Sequence, residues 1–115
     1  MLTTTILASL VGTAAAVGDQ RTFAVLHHYG NGPLMNGRVD PIVSPGTVST
    51  HVHTVMGANN FGETVTGEDL RKSNCTTALV KGDLSSYWFP RLYFQDPQDS
   101  HFEPVEMFYM NVYYL

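Results

Sequence analysis

Cysteine is nearly absent: the 115 residues contain only Cys75, so no disulfide can close within the chain. Cationic side chains are scarce too. Six Lys and Arg stand against ten Asp and Glu, for a net charge of −4. That removes the basic surface that phosphate backbones and anionic lipids require, so nucleic acid is not an expected partner. Charged residues of both signs reach only 14%, well below the roughly 25% of an average soluble domain. No apolar run approaches the ~20 residues of a membrane span, so the mature chain is expected to cross no bilayer. There is no phosphate-binding loop, no G-x-S-x-G elbow and no C-x-x-C. Glu103 and Glu106 are three apart, so on a strand they face opposite ways and do not form a glycosidase pair.

Apolar residues and aromatics are plentiful. Hydrophobic residues make up 43%, with six Tyr, six Phe and one Trp, which suits the packed core of a single domain. Residues 5–11 (TILASLV) form a short apolar run, followed by Gly12 and the small residues Ala14, Ala15 and Ala16. This reads as a secretion signal over 1–16, cut after Ala16, although its start offers only the α-amino charge; a buried N-terminal helix is the alternative. The expected location is therefore extracellular or the cell wall, with 17–115 as the mature part. An unpaired thiol outside the cell implies a disulfide partner for Cys75 beyond this chain. Asn74-Cys75-Thr76 is also a glycosylation sequon, with Asn74 as acceptor in a surface loop, and the two uses compete for space. Residues 108–115 (FYMNVYYL) are strand-forming and apolar, a hazard unless they pair with something further on. The chain reads as an incomplete domain.

Turn-forming residues divide the chain into short strands. Residues 23–29 (FAVLHHY) read as a first strand, closed by Gly30-Asn31-Gly32-Pro33. Residues 37–46 hold two Pro and two Gly, which exclude a helix, and Pro45-Gly46 is the centre of a type II turn. Residues 50–56 (THVHTVM) alternate and are β-branched, and 57–60 break them. Residues 66–72 are the only plausible helix, capped by Thr66 with Asp69 as a short capping-box acid. Residues 87–95 form a strand that Pro90 demotes to an edge or a bulge. Asp96-Pro97-Gln98-Asp99 turns the chain, and a last strand starts at Val105. The pattern predicts a mainly β fold, an antiparallel sandwich or jelly-roll-like sheet with long loops.

His51 and His53 carry the sharpest chemical hint. On a strand, residues i and i+2 share a face, which gives a transition metal two nitrogen ligands. A third would come from Asp40, Asp83, Glu63 or His101. The metal-binding H-x-H of cupins wants a Glu shortly after the second His, and Met56, Gly57 and Ala58 stand there instead, which argues against a cupin site. The same pair also fits substrate binding, acid–base work or plain hydrogen bonding of a turn to a strand. Asp40, held by Pro41, suits capping of backbone amides or orienting a nearby His. His27 and His28 are adjacent, so one faces in and the other out. Tyr87 and Trp88 on an outer face would suit stacking on a sugar ring, and in a core they would simply pack.

The stretch G-R-V-D-P-I-V-S-P-G over 37–46, leading to S-T-H-V-H over 49–53 and the small-residue turn from Gly57 to Phe61, resembles the signature of the DUF1996 family. A second block agrees: Cys75-Thr76, then Asp83, Ser85, Tyr87-Trp88, Pro90 and Leu92-Tyr93. The resemblance covers 23–115. It implies a secreted fungal protein, elsewhere in the family sometimes joined to a carbohydrate-binding WSC module, and a domain about twice this length. The family's activity is not established, so it assigns no catalytic residue; Asp40, His51, His53, Asp83, Tyr87 and Trp88 fall on its motif positions. Three functional readings stay open. One is binding of, or action on, cell-wall polysaccharide through a polar site around His51, His53 and Asp40, with catalytic candidates His51, His53, Asp40 and Asp83 and ligand contacts at Tyr87 and Trp88. The second is a metal-dependent extracellular enzyme with His51 and His53 as ligands. The third is a structural or adhesive wall protein. Neither the reaction nor any cofactor is read from the sequence.

Overall fold

The computed structural model describes residues 24–28 and 31–114. The leader expected over 1–16 lies outside the described residues. Among the described residues seven strands and one short helix follow in order: β1 (Ala24–His28), β2 (Met35–Gly37), β3 (His53–Gly57), α1 (Gly67–Leu70), β4 (Ser86–Pro90), β5 (Tyr93–Gln95), β6 (Phe102–Pro104) and β7 (Met110–Tyr114). The fold is mainly β with antiparallel pairing, as the sequence predicts. The described strands form three small sheets, β1-β7, β2-β3-β4 and β5-β6. Among the described residues no helix is long and apolar enough to cross a membrane.

The centre is β3, whose five residues are all buried. Val55 and Met56 point to opposite faces and are both fully shielded, with Ala58, Ala78 and Val39 completing the apolar core. Burial of each large side chain contributes about 1.5–3 kcal/mol. Pairing sets His53 opposite Pro90 and Val55 opposite Trp88, so these four share one face, while Met56 and Tyr87 share the other. Gly57 ends the strand at φ +103°, and a Cβ there would run into the Ser85 carbonyl. Only glycine allows that approach. The Ala58 amide then donates to the Ser85 carbonyl at 2.9 Å, and the Thr77 amide to Gly57 at 2.9 Å.

Several local readings hold. Gly46 has φ +68°, and the Thr47 amide closes the turn onto the Ser44 carbonyl at 3.1 Å, as a type II turn requires. Thr66 caps α1 and forms the reciprocal capping box with Asp69. Pro90 ends β4 at an edge of its sheet, and the single strand expected over 87–95 divides there, because Tyr93–Gln95 pairs with β6 in another sheet. Three readings need correction. His51 lies in the bend before β3, because strand pairing starts only at His53. Met35–Gly37 contains no β-branched residue and becomes a strand through its partner β3. Residues 105–109 are not strand: Val105 still bonds the Leu92 carbonyl, and the ladder resumes at Met110 where β1 offers an edge.

Candidate functional site

The long loop from Arg38 to Val52 delivers the first cluster. The Ser49 amide donates to the Arg38 carbonyl at 3.0 Å, and Arg38 Nε returns a bond to the Ser49 carbonyl at 2.8 Å. Ser49 Oγ accepts the His51 amide at 3.2 Å. These bonds fix the bend, leaving His51 exposed and His53 buried. The two rings still meet, edge to face, with centroids 5.8 Å apart. Their proximity comes from the bend and not from a shared strand. His53 Nδ1 lies 2.8 Å from the Val39 carbonyl; a carbonyl can only accept, so Nδ1 carries a proton and donates it.

Asp40 caps backbone amides, the first of the two uses expected of it, while His53 is bonded to the Val39 carbonyl instead. Asp40 Oδ1 accepts the amides of Ile42 at 3.0 Å and Val43 at 2.9 Å, which shapes the rigid turn. The Val43 amide is the main reason its carboxyl is held below the usual range. Burial opposes the shift, while the Ile42 amide, the neighbouring His53 and the Trp88 indole N–H add to it. Asp40, His51, His53 and Trp88 thus form one cluster. Among the described residues no three His, Cys, Asp or Glu come together as a metal-holding group. Of the four residues weighed as a third ligand, only Asp40 approaches the pair. Glu63 accepts the Gly46 amide through its backbone, His101 sits in the β5–β6 turn on Asp99, and Asp83 belongs elsewhere.

That other place is the junction of β4 with β1 and β7. Tyr87 Oη donates to Asp83 Oδ2 at 2.9 Å and lies 3.2 Å from Tyr114 Oη. Asp83 Oδ1 accepts the Ser85 amide at 2.9 Å. Burial pushes the Asp83 carboxyl up, but the Ser85 amide, the Tyr87 and Ser85 hydroxyls and His28 together hold it below its usual range. Burial, with the Tyr114 and Asp83 contacts, raises the Tyr87 phenol. The His28 ring packs edge-on against Tyr87, centroids 4.7 Å apart. His28 is fully buried, and neither ring nitrogen has a hydrogen-bond partner among the described residues. Burial therefore pushes its pKa down, partly offset by Asp83. His27 faces out, its Nδ1 2.6 Å from Asn111 Oδ1. The one-in, one-out reading of the histidine doublet is correct, but the sequence did not mark His28 as the orphan. Ser86 Oγ is the third buried polar atom without a partner among the described residues, and nothing in its sequence neighbours announced that.

Two open clefts flank β4. One, of about 790 Å3, is lined by Trp88, Ser85, Ser86, Asp83 and, from α1 and its C-cap, Leu70 and Arg71. The other, of about 420 Å3, lies between Ser86, Tyr87 and Trp88 of β4 and Asn111 and Tyr113 of β7. Both fall in the size range of small-ligand sites, about 300–1,000 Å3. Trp88 is half-buried and packs at a tilt on Phe61, centroids 5.6 Å apart. Tyr87 and Trp88 therefore each combine a packing contact with a place in a cleft wall. His51 and His53 line neither cleft. Asn74 and Cys75 are exposed, as a surface loop requires. The Asn59 side chain holds that loop, donating to Asn74 Oδ1 at 2.9 Å and accepting the Asn74 and Cys75 amides.

The family described as Domain of unknown function (DUF1996) matches residues 40–115. No curated protein matches the chain, and no solved structure does.

Proposed function

The chain belongs to the DUF1996 family, and from that premise and the clefts beside β4 we propose that it is an extracellular domain that binds polysaccharide. One observation carries the reading: the half-buried Trp88 shares an open cleft with Asp83, Ser85, Ser86 and Arg71. An indole face beside hydroxyl, carboxylate and guanidinium groups matches a sugar ring, which is apolar on its face and polar at its rim. The Asp40 carboxylate lies near the Trp88 indole N–H. The leader-like residues 5–16 support export. In this reading His51, His53 and Asp40 set the frame of the site, and the sugar contacts fall to Trp88 and its cleft neighbours. Incubation of the chain with insoluble chitin, β-1,3-glucan and mannan, followed by sedimentation, should deplete it from solution with at least one of them. Full recovery in every supernatant sinks the proposal.

A further inference from the structure

Ser86 and Trp88 line both clefts, so the two share a wall on β4. β4 is the last strand of its sheet, so its outer edge carries backbone N–H and C=O groups without a strand partner. Ser86 stands in that shared wall, and its hydroxyl is shielded and has no partner among the described residues. A buried hydroxyl without a partner is unfavourable, and a Ser side chain turns readily between staggered rotamers. Rotation would present it to a ligand in either cleft. We infer that the two clefts are successive subsites of one groove along β4, which takes several linked units of an unbranched polysaccharide, with Ser86 bonding the ligand at the junction. This rests on the polysaccharide reading and goes beyond it in fixing the ligand as a chain segment and in naming a specificity-determining residue.

The chemistry of the groove favours a glycan over an extended peptide. A peptide adding to an edge needs a continuous backbone ladder, and β4 ends at Pro90, which has no N–H. A glycan needs only scattered donors and acceptors with aromatic faces between them. Trp88 and Tyr87 supply the faces, and Ser86, Asn111 and Asp83 the polar groups.

The test is titration of the chain with chito- and laminari-oligosaccharides as dimer, tetramer and hexamer, by calorimetry. Affinity is expected to rise at least about tenfold from dimer to hexamer, tenfold being ~1.4 kcal/mol. In Ser86→Ala the hexamer should bind about threefold to tenfold more weakly, the scale of one net hydrogen bond, with an unchanged circular dichroism spectrum. Equal affinity for dimer and hexamer overturns the continuous groove and leaves polysaccharide binding standing. A steep length dependence that Ser86→Ala does not alter overturns the junction role. No binding by any oligosaccharide in either series overturns the groove, and the sedimentation assay then decides separately whether the polymer reading survives. Binding of an extended β-forming peptide in their place reassigns the edge to strand addition.

Discussion

His53 and His28 are both buried, yet the chain around them satisfies one and strands the other. His53 opens β3 and donates from Nδ1 to the Val39 carbonyl at 2.8 Å, within a loop whose turns are fastened by Asp40 and Ser49. His28 closes β1 against Tyr87 with both nitrogens unbonded. The difference reflects how each region is built. Around β3, a long loop folds back over the strand and brings its own carbonyls and amides to the imidazole. At the β1–β4–β7 junction, separate sheets meet through side chains, and no described backbone group bonds the ring. A buried polar group costs free energy unless bonded, so the first region is built for rigidity and the second holds a weak point.

Replacing each histidine by a leucine of similar size tests this most strongly. His53→Leu should lower unfolding stability by about 1–3 kcal/mol, because it leaves the Val39 carbonyl buried without a donor. His28→Leu should be neutral or slightly stabilising, since it removes two unbonded atoms and keeps the packing. Urea titration at neutral pH measures both, and equal losses in the two variants would erase the contrast.

The second test varies pH. Burial depresses the His28 pKa in the folded chain, whereas an unfolded His titrates near about 6.5. Above that value both states hold a neutral ring, and its contribution is fully present. As pH falls below it, the unfolded state takes up a proton that the folded state resists, so stability drops until His28 protonates in place. Asp83 acts in the same direction at lower pH: its folded pKa is depressed, so its contribution is present above the ordinary carboxylate range and fades below it. Urea midpoints should therefore fall in the wild type between about pH 6.5 and 4.5, and fall less in His28→Leu. Parallel profiles would show that another group sets the slope.

A smaller effect is expected from Tyr87→Phe, which keeps the ring against His28 but removes the hydroxyl shared with Asp83 and Tyr114. The loss should be about 0.5–1.5 kcal/mol, the net value of one intramolecular hydrogen bond. Because Tyr87 links β4 to β7, slowed amide exchange along β7 in the wild type should be lost in the variant, while β2 and β3 keep theirs. Uniform change across all three strands would mean that the junction and the β3 region open together.

How far each region could be read from the sequence follows the same division. The type II turn at Pro45-Gly46, the capping box of Thr66 and Asp69, and the amide capping by Asp40 all depend on residues close in sequence, and each is where the residues indicate. The mainly β class follows from short alternating runs between Gly and Pro clusters. Strand bounds are less legible where a partner decides them: β2 exists because β3 pairs with it, and residues 105–109 lack the edge that Met110 finds in β1. The same holds for the site. Spacing brought His51 and His53 together for the wrong reason, through a strand where a bend does the work. The orphan state of His28 and Ser86 depends on sheets that meet over long sequence separations, and no local pattern encodes it.

The smallest structural effect should accompany a clear functional one. Arg71 follows α1 and pairs with Glu68 at 2.7 Å, but both side chains are mostly exposed, at 68% and 80%. Exposed ion pairs contribute between zero and about 1 kcal/mol, so Arg71→Ala should shift stability by less than about 0.5 kcal/mol. Its guanidinium nevertheless lines the larger cleft with Trp88 and Asp83. If that cleft holds sugar, the variant should sediment less with the polysaccharide that retains the wild type, while its urea midpoint stays put. His53→Leu should show the reverse order of effects, with stability falling first and binding following only as the fold is lost. Unchanged binding in Arg71→Ala would move the ligand away from the α1 side of Trp88, towards the smaller cleft against β7.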